Sequence, residues 1–579
     1  MTVSIRPLVW DEAGNRCLRT TEKAGQAPHY PMERRPCNKV GIRTGLRQMS
    51  DTPTFATAAV AAPHRLAAES GRNALAVGGN AVEATVAMAA TIAVVYPHMN
   101  AIGGDAFWLI REPGGRVRAI EACGPAGRLA TRERYAEAGY DAIPFRGPQA
   151  ALTVAGAVGG WAEALGLSGA LGGRLPLRDL LADAVRHARD GYPVSASELR
   201  TEPNEADALL AAPGFRDTFF ANGKRPEAAV SRRIPALADT LAHLGDAGLD
   251  DFYRGDVARE IAADLERIGA PITRADLEGY RPAFRDPLKV RLRGATVYNK
   301  APPTQGLASL LVLGIYERLG ITGPENVRHH HGLIEATKRA LAIRDRVVTD
   351  HDRLRHDPAA FLAPAFLERE ASRIDMARAA PFPAPAGHGD TVWMGAIDRD
   401  GLAVSYIQSI YWEWGSGCVL PATGIHWQNR GASFSLDPDA VNPLEPGRRP
   451  FHTLNPPLAA FDDGRVAAYG AMGGDGQPQF QAQIFTRYAD LGEDLATAVD
   501  RPRWLLGRTW GSASTSLKME SRFDPAILEG LARLGHDVEE IGVPYSDGLG
   551  HAGMLVKYPR DGRVEAVHDP RSDGGAAGL

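Results

Sequence analysis

The stretch HGDTVWMGAIDRDGLAVSYIQSIYWEWGSG, residues 388–417, decides how this chain is read. It holds two apolar-rich runs, VWMGAI and LAVSYIQS, joined by DRDG. Asp and Gly flanking so short a link are turn chemistry, so the runs are expected to pair as an antiparallel hairpin. With Asp398 and Gly401 closing the turn, facing residue numbers sum to about 799, and a one-residue slip would move every side chain to the other face. Thr391 then faces residue 408 or 409, which sets Ser409 beside it, give or take one bulge. No His is placed to activate the Thr391 hydroxyl, and no GxSxG elbow surrounds it. A threonine can instead be activated by becoming N-terminal, so that its own α-amine takes the proton. That requires a cut between Asp390 and Thr391. The preceding segment MARAAPFPAPAGHGD, 376–390, has the composition of an exposed, mobile linker in which a break is tolerated. On these residues alone, an ordinary strand-opening threonine is the simpler reading.

Outward from this stretch, the chain reads as one continuous α/β body from about residue 54. TFATAAVAAP suggests a short strand, followed by a helix ending near the GGN of 78–80. AVEATVAMAATIAVV, 81–95, is too short to cross a bilayer, which takes about 20 residues, and contains Glu83. A buried core helix is expected there. AIGGDAFWLI reads as a glycine turn feeding a strand, residues 176–290 read as mostly helical, and helical period returns in HGLIEATKRALAIRDR, 331–346.

The bulk numbers exclude more than they assign. Of the 579 residues, 44% are hydrophobic and 23% charged, as in ordinary globular proteins. A net charge of −4 gives no long-range attraction for nucleic acid. Neither a phosphate loop nor a basic-aromatic surface is present. Cys17, Cys37, Cys123 and Cys418 are scattered without metal spacing, which suggests free thiols in a reducing, cytoplasmic compartment. No metal or cofactor is expected: His329, His330 and His331 are adjacent, and adjacent residues of a helix point in different directions. Residues 1–50 lack hydrophobic period, and 1–48 carry nine Lys/Arg against four Asp/Glu. They are read as a disordered extension or a start called too early; a targeting segment is the alternative, and a secretory signal is not expected.

A second motif bears on Thr391. AAYGAMGGDGQPQFQAQIFTRYADL, 467–491, reads as strand, glycine turn, helix. Gly473 and Gly474 would present backbone N–H groups near a helix N-terminus, suited to an oxyanion. A tight turn needing positive φ explains the pair as well.

Taken together, GGNAVEATVA, VVYPHMNAIGGDAF, APPTQG, DTVWMGAIDRDGLAVS, GSGCVLPATGIHWQNR, PFHTLNPPL, GAMGGDGQPQ and DPRSDGGAAG resemble the γ-glutamyltranspeptidase family of N-terminal nucleophile hydrolases. The resemblance implies an α+β fold, a four-layer αββα sandwich. It also implies self-cleavage at Asp390–Thr391 into a large subunit, 51–390, and a small one, 391–579. Thr391 would be the nucleophile, Ser409 would fix its rotamer, and the Gly473 and Gly474 N–H groups would bind the oxyanion. The chain departs from the family where a glutamyl group is held. Cys123 stands at the place of the carboxylate-binding arginine, Ser433 at that of the acid for the α-amine, and Tyr411 at that of an asparagine. His452 and Thr453 replace two serines, and Val392 replaces a second threonine. A glutamyl substrate would lose its ionic anchors, at several kcal/mol of discrimination, so glutathione is not expected.

GDTVWMG, QSIY, WQNRGASFSLDP, PFHTLNP, YGAMGGDGQPQ, RPRWLLGRTWG and DPRS instead resemble one branch of that family, the oxamate amidohydrolases of purine-derived nitrogen breakdown. This implies hydrolysis of a small amide bearing a carboxylate, to oxalate and ammonia. Arg430 is the first choice to hold the carboxylate, its planar fork suiting that group. Asn429, His452 and Thr453 are the further polar candidates. Tyr411, Trp412 and Trp414 either shrink the pocket or are plain core aromatics. The partners expected are the small-molecule substrate and the two subunits of one precursor, with room for a homodimer of the processed unit. No nucleic acid and no membrane is expected. Two other readings stay open: a γ-glutamyl or glutaryl amidase of the same fold, and a protein that never matures and only binds.

Overall fold

The computed structural model describes residues 51–579 apart from 202–204, 221–223, 228–229, 383–389 and 508–513. The expected extension over 1–50, Cys17, Cys37 and most of the expected linker lie outside the described residues.

Three neighbouring strands carry the site: β1 (Asp105–Arg111), β2 (Asp390–Ile397) and β3 (Ala403–Tyr411). They sit inside an antiparallel seven-stranded sheet, ordered Gly575–Gly578, Ala59–Ala62, β2, β3, β1, Val117–Ala122, Ala283–Arg285. A second antiparallel sheet of seven runs Thr54–Phe55, Val564–His568, Ala552–Lys557, β4 (Val466–Ala471), Leu458–Phe461, Ala295–Asn299, Leu288–Leu292. The period of two in the strands sorts their side chains between layers. Val392, Met394 and Ala396 of β2 join the core shared with helix α1 (Ala81–Val95). Trp393 and Ile397 face the other way, into the core between the sheets, with Phe107, Ile407 and Leu555. The second sheet packs its outer face on α2 (Gly306–Arg318), α3 (Val327–Val347) and α4 (Gln477–Ala489). Three cores between four layers make the αββα sandwich.

The hairpin forms as the turn chemistry requires. Gly401, at φ 86°, donates its N–H to the Asp398 carbonyl at 3.2 Å. The Asp398 carboxylate accepts from the N–H groups of Asp400 and Leu402, and from that of Ala81 at 3.0 Å, so the same side chain joins the turn to the first residue of α1. Glu83 is tolerated in the wholly buried α1 because it completes a capping box with Asn80 and accepts the Leu175 N–H at 2.7 Å. Trp393 fixes the spacing of the sheets. A Cβ on Gly470 would lie 2.2 Å from its ring, so only glycine lets β4 close over it. Its indole N–H is used by Ser405 at 2.9 Å, and emptying such a site costs about 3–5 kcal/mol.

At the C-terminal end, the DPRS stretch forms a buried charge network. Asp569 accepts from Arg503 and Arg571, and Arg571 also bonds Glu520. All four residues are buried.

Candidate active site

Facing numbers along the β2–β3 ladder sum to 800 from Ile397↔Ala403 to Val392↔Gln408, and the register then shifts to Asp390↔Tyr411. Thr391 therefore lies in a bulge alongside Ser409. Ser409 in turn faces Asp105 on β1. Thr391, Ser409 and Asp105 form a row across three strands, with facing Cβ atoms about 5 Å apart. All three are at most 3% exposed. Ser409 and Asp105 point, like Ile407 and Phe107, into the space between the sheets.

The second sheet closes over this row. β4 ends at Ala471, and the chain turns through Gly473 (φ 115°) and Gly474 (φ 52°) into α4. Both glycines hold left-handed conformations that other residues adopt at a cost. The Gly474 carbonyl accepts from Gln305 Nε2 at 2.7 Å and from the Gln477 N–H. Gln305 Oε1 accepts from Arg344 of α3, which also holds Asp475 at 2.7 Å. The glycine turn is thus pinned from the N-cap of α2 and from α3, and the direction of its peptide groups is set before any substrate arrives.

One described side chain outside the expected set touches the Thr391 hydroxyl: Gln477 Nε2 donates to its Oγ1 at 3.3 Å. Gln477 lies within GGDGQPQ, a stretch the sequence singles out, but only for its glycines.

Arg430 is buried at 2% exposure and opens a short turn, Arg430–Ser433. Its guanidinium lies 3.3 Å above the Tyr411 ring, and Nη1 donates to Thr453 Oγ1 at 3.3 Å. Nε and Nη2 have no hydrogen-bond partner. Among the described residues no carboxylate comes within ion-pair distance of it. Burial draws its pKa below the usual arginine value. A buried cation without a counter-ion is costly, and the arrangement fits an anionic ligand. Tyr411 holds its ring there from φ 82°, and Trp414 has φ 64°; such strain in non-glycine residues gathers at functional sites.

His452 is fully buried, edge-on to Phe107, with Nε2 3.3 Å from Asp105 Oδ2 but not aligned as a hydrogen bond. Burial, helped by Arg430, holds its pKa well below the usual histidine range, so the ring is neutral. Asp105 Oδ1 accepts from the Gly124 and Gly156 N–H groups at 3.1 and 3.0 Å. Burial raises its pKa to about 7 despite those bonds.

The remaining expected positions divide. The Asn429 amide is engaged at both ends by the protein, accepting from Trp412 N–H at 3.1 Å and donating to the Phe145 carbonyl at 2.9 Å. Trp412 stacks on Phe145 at 3.7 Å, whereas Trp414 packs among Phe215, Phe219 and His426 in the core beneath α1. Cys123 is buried, its thiol pKa pushed well above the ordinary value by burial. Ser433 is bonded to the Phe451 carbonyl.

Of the three adjacent histidines only His331 points away from the others; His329 and His330, expected to diverge, come together. Glu325, His329 and His330 form one group able to hold a metal, and His331, Glu335 and His536 another. Arg487 already pairs with Glu325 at 2.7 Å, Lys338 with Glu335 at 2.7 Å, and His331 hydrogen-bonds His536 at 2.8 Å.

Stacked antiparallel sheets between helical layers, with a hydroxyl at the start of a central strand and a pinned glycine turn across from it, define a hydrolase of the N-terminal nucleophile class, acting on amide bonds. The family model described as Gamma-glutamyltranspeptidase matches residues 67–579, and the chain belongs to that family. It is 53% identical, over 89% of its own length and 97% of the relative's, to the oxamate amidohydrolase proenzyme of Klebsiella pneumoniae. It is 38% identical, over 90% of its length and 98% of the relative's, to the glutathione hydrolase-like YwrD proenzyme of Bacillus subtilis. Among solved structures, a cephalosporin acylase from Bacillus halodurans superposes with a TM-score of 0.82 at 31% identity, covering 96% of this chain and 99% of that one.

Proposed function

We propose that this chain is the precursor of an amidohydrolase that converts oxamate and water to oxalate and ammonium. The observation that carries this reading is the buried Arg430, with two nitrogen atoms unpartnered and, among the described residues, no carboxylate within ion-pair distance. Oxamate supplies a carboxylate joined directly to a primary amide. The 53% identity to a proenzyme of that name supports the choice.

In the precursor the Thr391 hydroxyl attacks the Asp390 carbonyl, and hydrolysis of the resulting ester frees the Thr391 amine. That amine then accepts the hydroxyl proton as Oγ1 attacks the amide carbon. N–H groups at Gly473 and Gly474 receive the developing oxyanion, an interaction whose loss costs about 3–4 kcal/mol. Ammonia leaves with a proton from the α-ammonium, and water releases the oxalyl group from Oγ1. Ser409 fixes the threonine rotamer. Arg430 and Thr453 hold the substrate carboxylate, Tyr411 supports the guanidinium, neutral His452 donates or accepts at the far wall, and Asn429 braces the 411–412 backbone.

The large subunit would end at Asp390 and the small one begin at Thr391. No described helix is long and apolar enough to cross a membrane, and Cys123 and Cys418 are unpaired. We place the enzyme in the cytoplasm, in nitrogen release from purines, with pairing of two processed units compatible with its fold. The deciding experiment is intact-mass analysis of the purified protein followed by ammonia release from oxamate. Two chains, one starting at Thr391, together with ammonia, support the whole reading. Two chains without ammonia redirect the substrate to larger amides such as glutaryl groups. A single inert chain leaves only a binding protein.

A further inference from the structure

Gln477 sits at the start of α4, buried, with its side chain between two others. Its Oε1 accepts from Asn455 Nδ2 at 3.0 Å. Asn455 Oδ1 accepts from Asn299 Nδ2 at 3.2 Å. Asn299 Oδ1 accepts from the Lys300 backbone N–H at 2.8 Å. Amide oxygen and nitrogen are easily exchanged in any structure, so their assignment has to come from partners of fixed polarity. Here the chain is anchored twice on such partners. The Lys300 N–H can only donate, and the Thr453 carbonyl, which takes Asn455 Nδ2 at 3.0 Å, can only accept. Each amide is therefore locked in one orientation, and the end of the relay at Thr391 is an N–H donor.

We infer that Gln477 is a positioning residue that orients the nucleophile: by donating to Thr391 Oγ1 it occupies one lone pair and turns the hydroxyl proton away from α4, toward the α-amine that must take it. The inference rests on Thr391 being the nucleophile. It also applies to the first reaction of the chain, since the same oxygen attacks the Asp390 carbonyl. The donor stays with the oxygen through both reactions. It stabilises negative charge on Oγ1 as the proton leaves, and again when the acyl ester breaks.

Gln477→Glu tests this with almost no change of shape. The introduced carboxylate, when ionised, still accepts from Asn455 but presents an acceptor to Thr391, and so draws the hydroxyl proton the wrong way. When protonated it donates again. At pH 8 the variant is expected to cut itself at least 10-fold more slowly than the native chain, measured by intact mass. Its kcat on oxamate should fall about 100-fold, with KM within threefold. The ratio of variant to native kcat should rise at least 10-fold between pH 8 and pH 5, an effect that loose packing would not produce. A ratio flat with pH, or a kcat within threefold of native, overturns the inference. A variant that melts well below the native protein and shows equal loss at every pH also overturns it, by making the role structural. A native protein that cuts itself but releases no ammonia sinks the oxamate reading alone, and Gln477 is then judged on the pH dependence of the cutting rate. A native chain that never cuts overturns both.

Discussion

Arg430→Met separates binding from stability. The side chain keeps an unbranched stem and loses the guanidinium with its charge. In the native site two guanidinium nitrogens, Nε and Nη2, are buried and unpartnered. If both meet the oxamate carboxylate, each charge-assisted bond contributes about 1.5–3 kcal/mol. Allowing for imperfect alignment, the variant should lose about 3–4 kcal/mol, or about 10²–10³ in kcat/KM. Stability should move the other way or not at all. The protein gives up one Thr453 bond and a contact with Tyr411, but no longer buries a cation that no described carboxylate pairs with directly. The assay is coupled ammonia detection with oxamate, and in parallel with the neutral isostere oxamide. The native enzyme should favour oxamate by about the same 10²–10³, and the variant should barely distinguish the two. Cutting at Asp390–Thr391 and the melting temperature serve as controls. Oxamate kcat/KM within threefold of native refutes the assignment. So does equal loss on oxamate and oxamide with a lowered melting temperature, which would make Arg430 a structural cation.

Three further outcomes follow from the same geometry. Thr391→Ala should leave a single full-length chain by mass, inert on oxamate, with the fold unchanged by circular dichroism; any cut at 390–391 would remove the hydroxyl from the mechanism. Asp105 has its pKa raised to about 7 in the folded protein against 3.8 unfolded, so between those values the native state holds a proton that the unfolded state has lost, and its share of stability falls as pH rises. Asp105→Asn keeps the acceptor for Gly124 and Gly156, so it should gain on the native protein from pH 4 to pH 7, by at most ~4 kcal/mol in urea titrations; a constant difference would contradict the shift. Asp569→Asn leaves Arg503 and Arg571 facing each other in the interior and should cost about 3–5 kcal/mol of unfolding free energy, seen as a lower urea midpoint with processing intact in the folded fraction.

The hairpin was readable because its register is local: Asp398 and Gly401 close the turn, and the period of two does the rest as far as Val392. One bulge was allowed for, but its place at Thr391 could not be read, since it depends on where the ladder shifts between Val392↔Gln408 and Asp390↔Tyr411. Gly473 and Gly474 were visible as punctuation, but the side chains that pin the turn, Gln305 at a helix N-cap and Arg344 within a helix, lie more than 100 residues away. Asp105 and Gln477 were passed over for a similar reason. Each sits in a stretch valued for its glycines, and only the fold brings it to Thr391 or Ser409. Asn429, beside Arg430, has its amide engaged by the backbone of Trp412 and Phe145, a bracing that no local pattern announces.

The strand order of the two sheets has a consequence for the matured protein. Residues before and after Thr391 alternate within both sheets: Ala59–Ala62 lies between β2 and Gly575–Gly578, and Ala295–Asn299 pairs with Leu458–Phe461. A cut at 390–391 therefore severs the chain without making two separable bodies. The precursor folds as one molecule, at a rate independent of concentration. The cut protein, once unfolded, must find its other half by collision. Refolding then obeys mass action, and dilution that would not affect the precursor leaves the mature protein unable to reassemble. Cutting thus turns a reversible fold into one held by its unfolding rate, and the order of events in the cell, folding before cleavage, is dictated by topology.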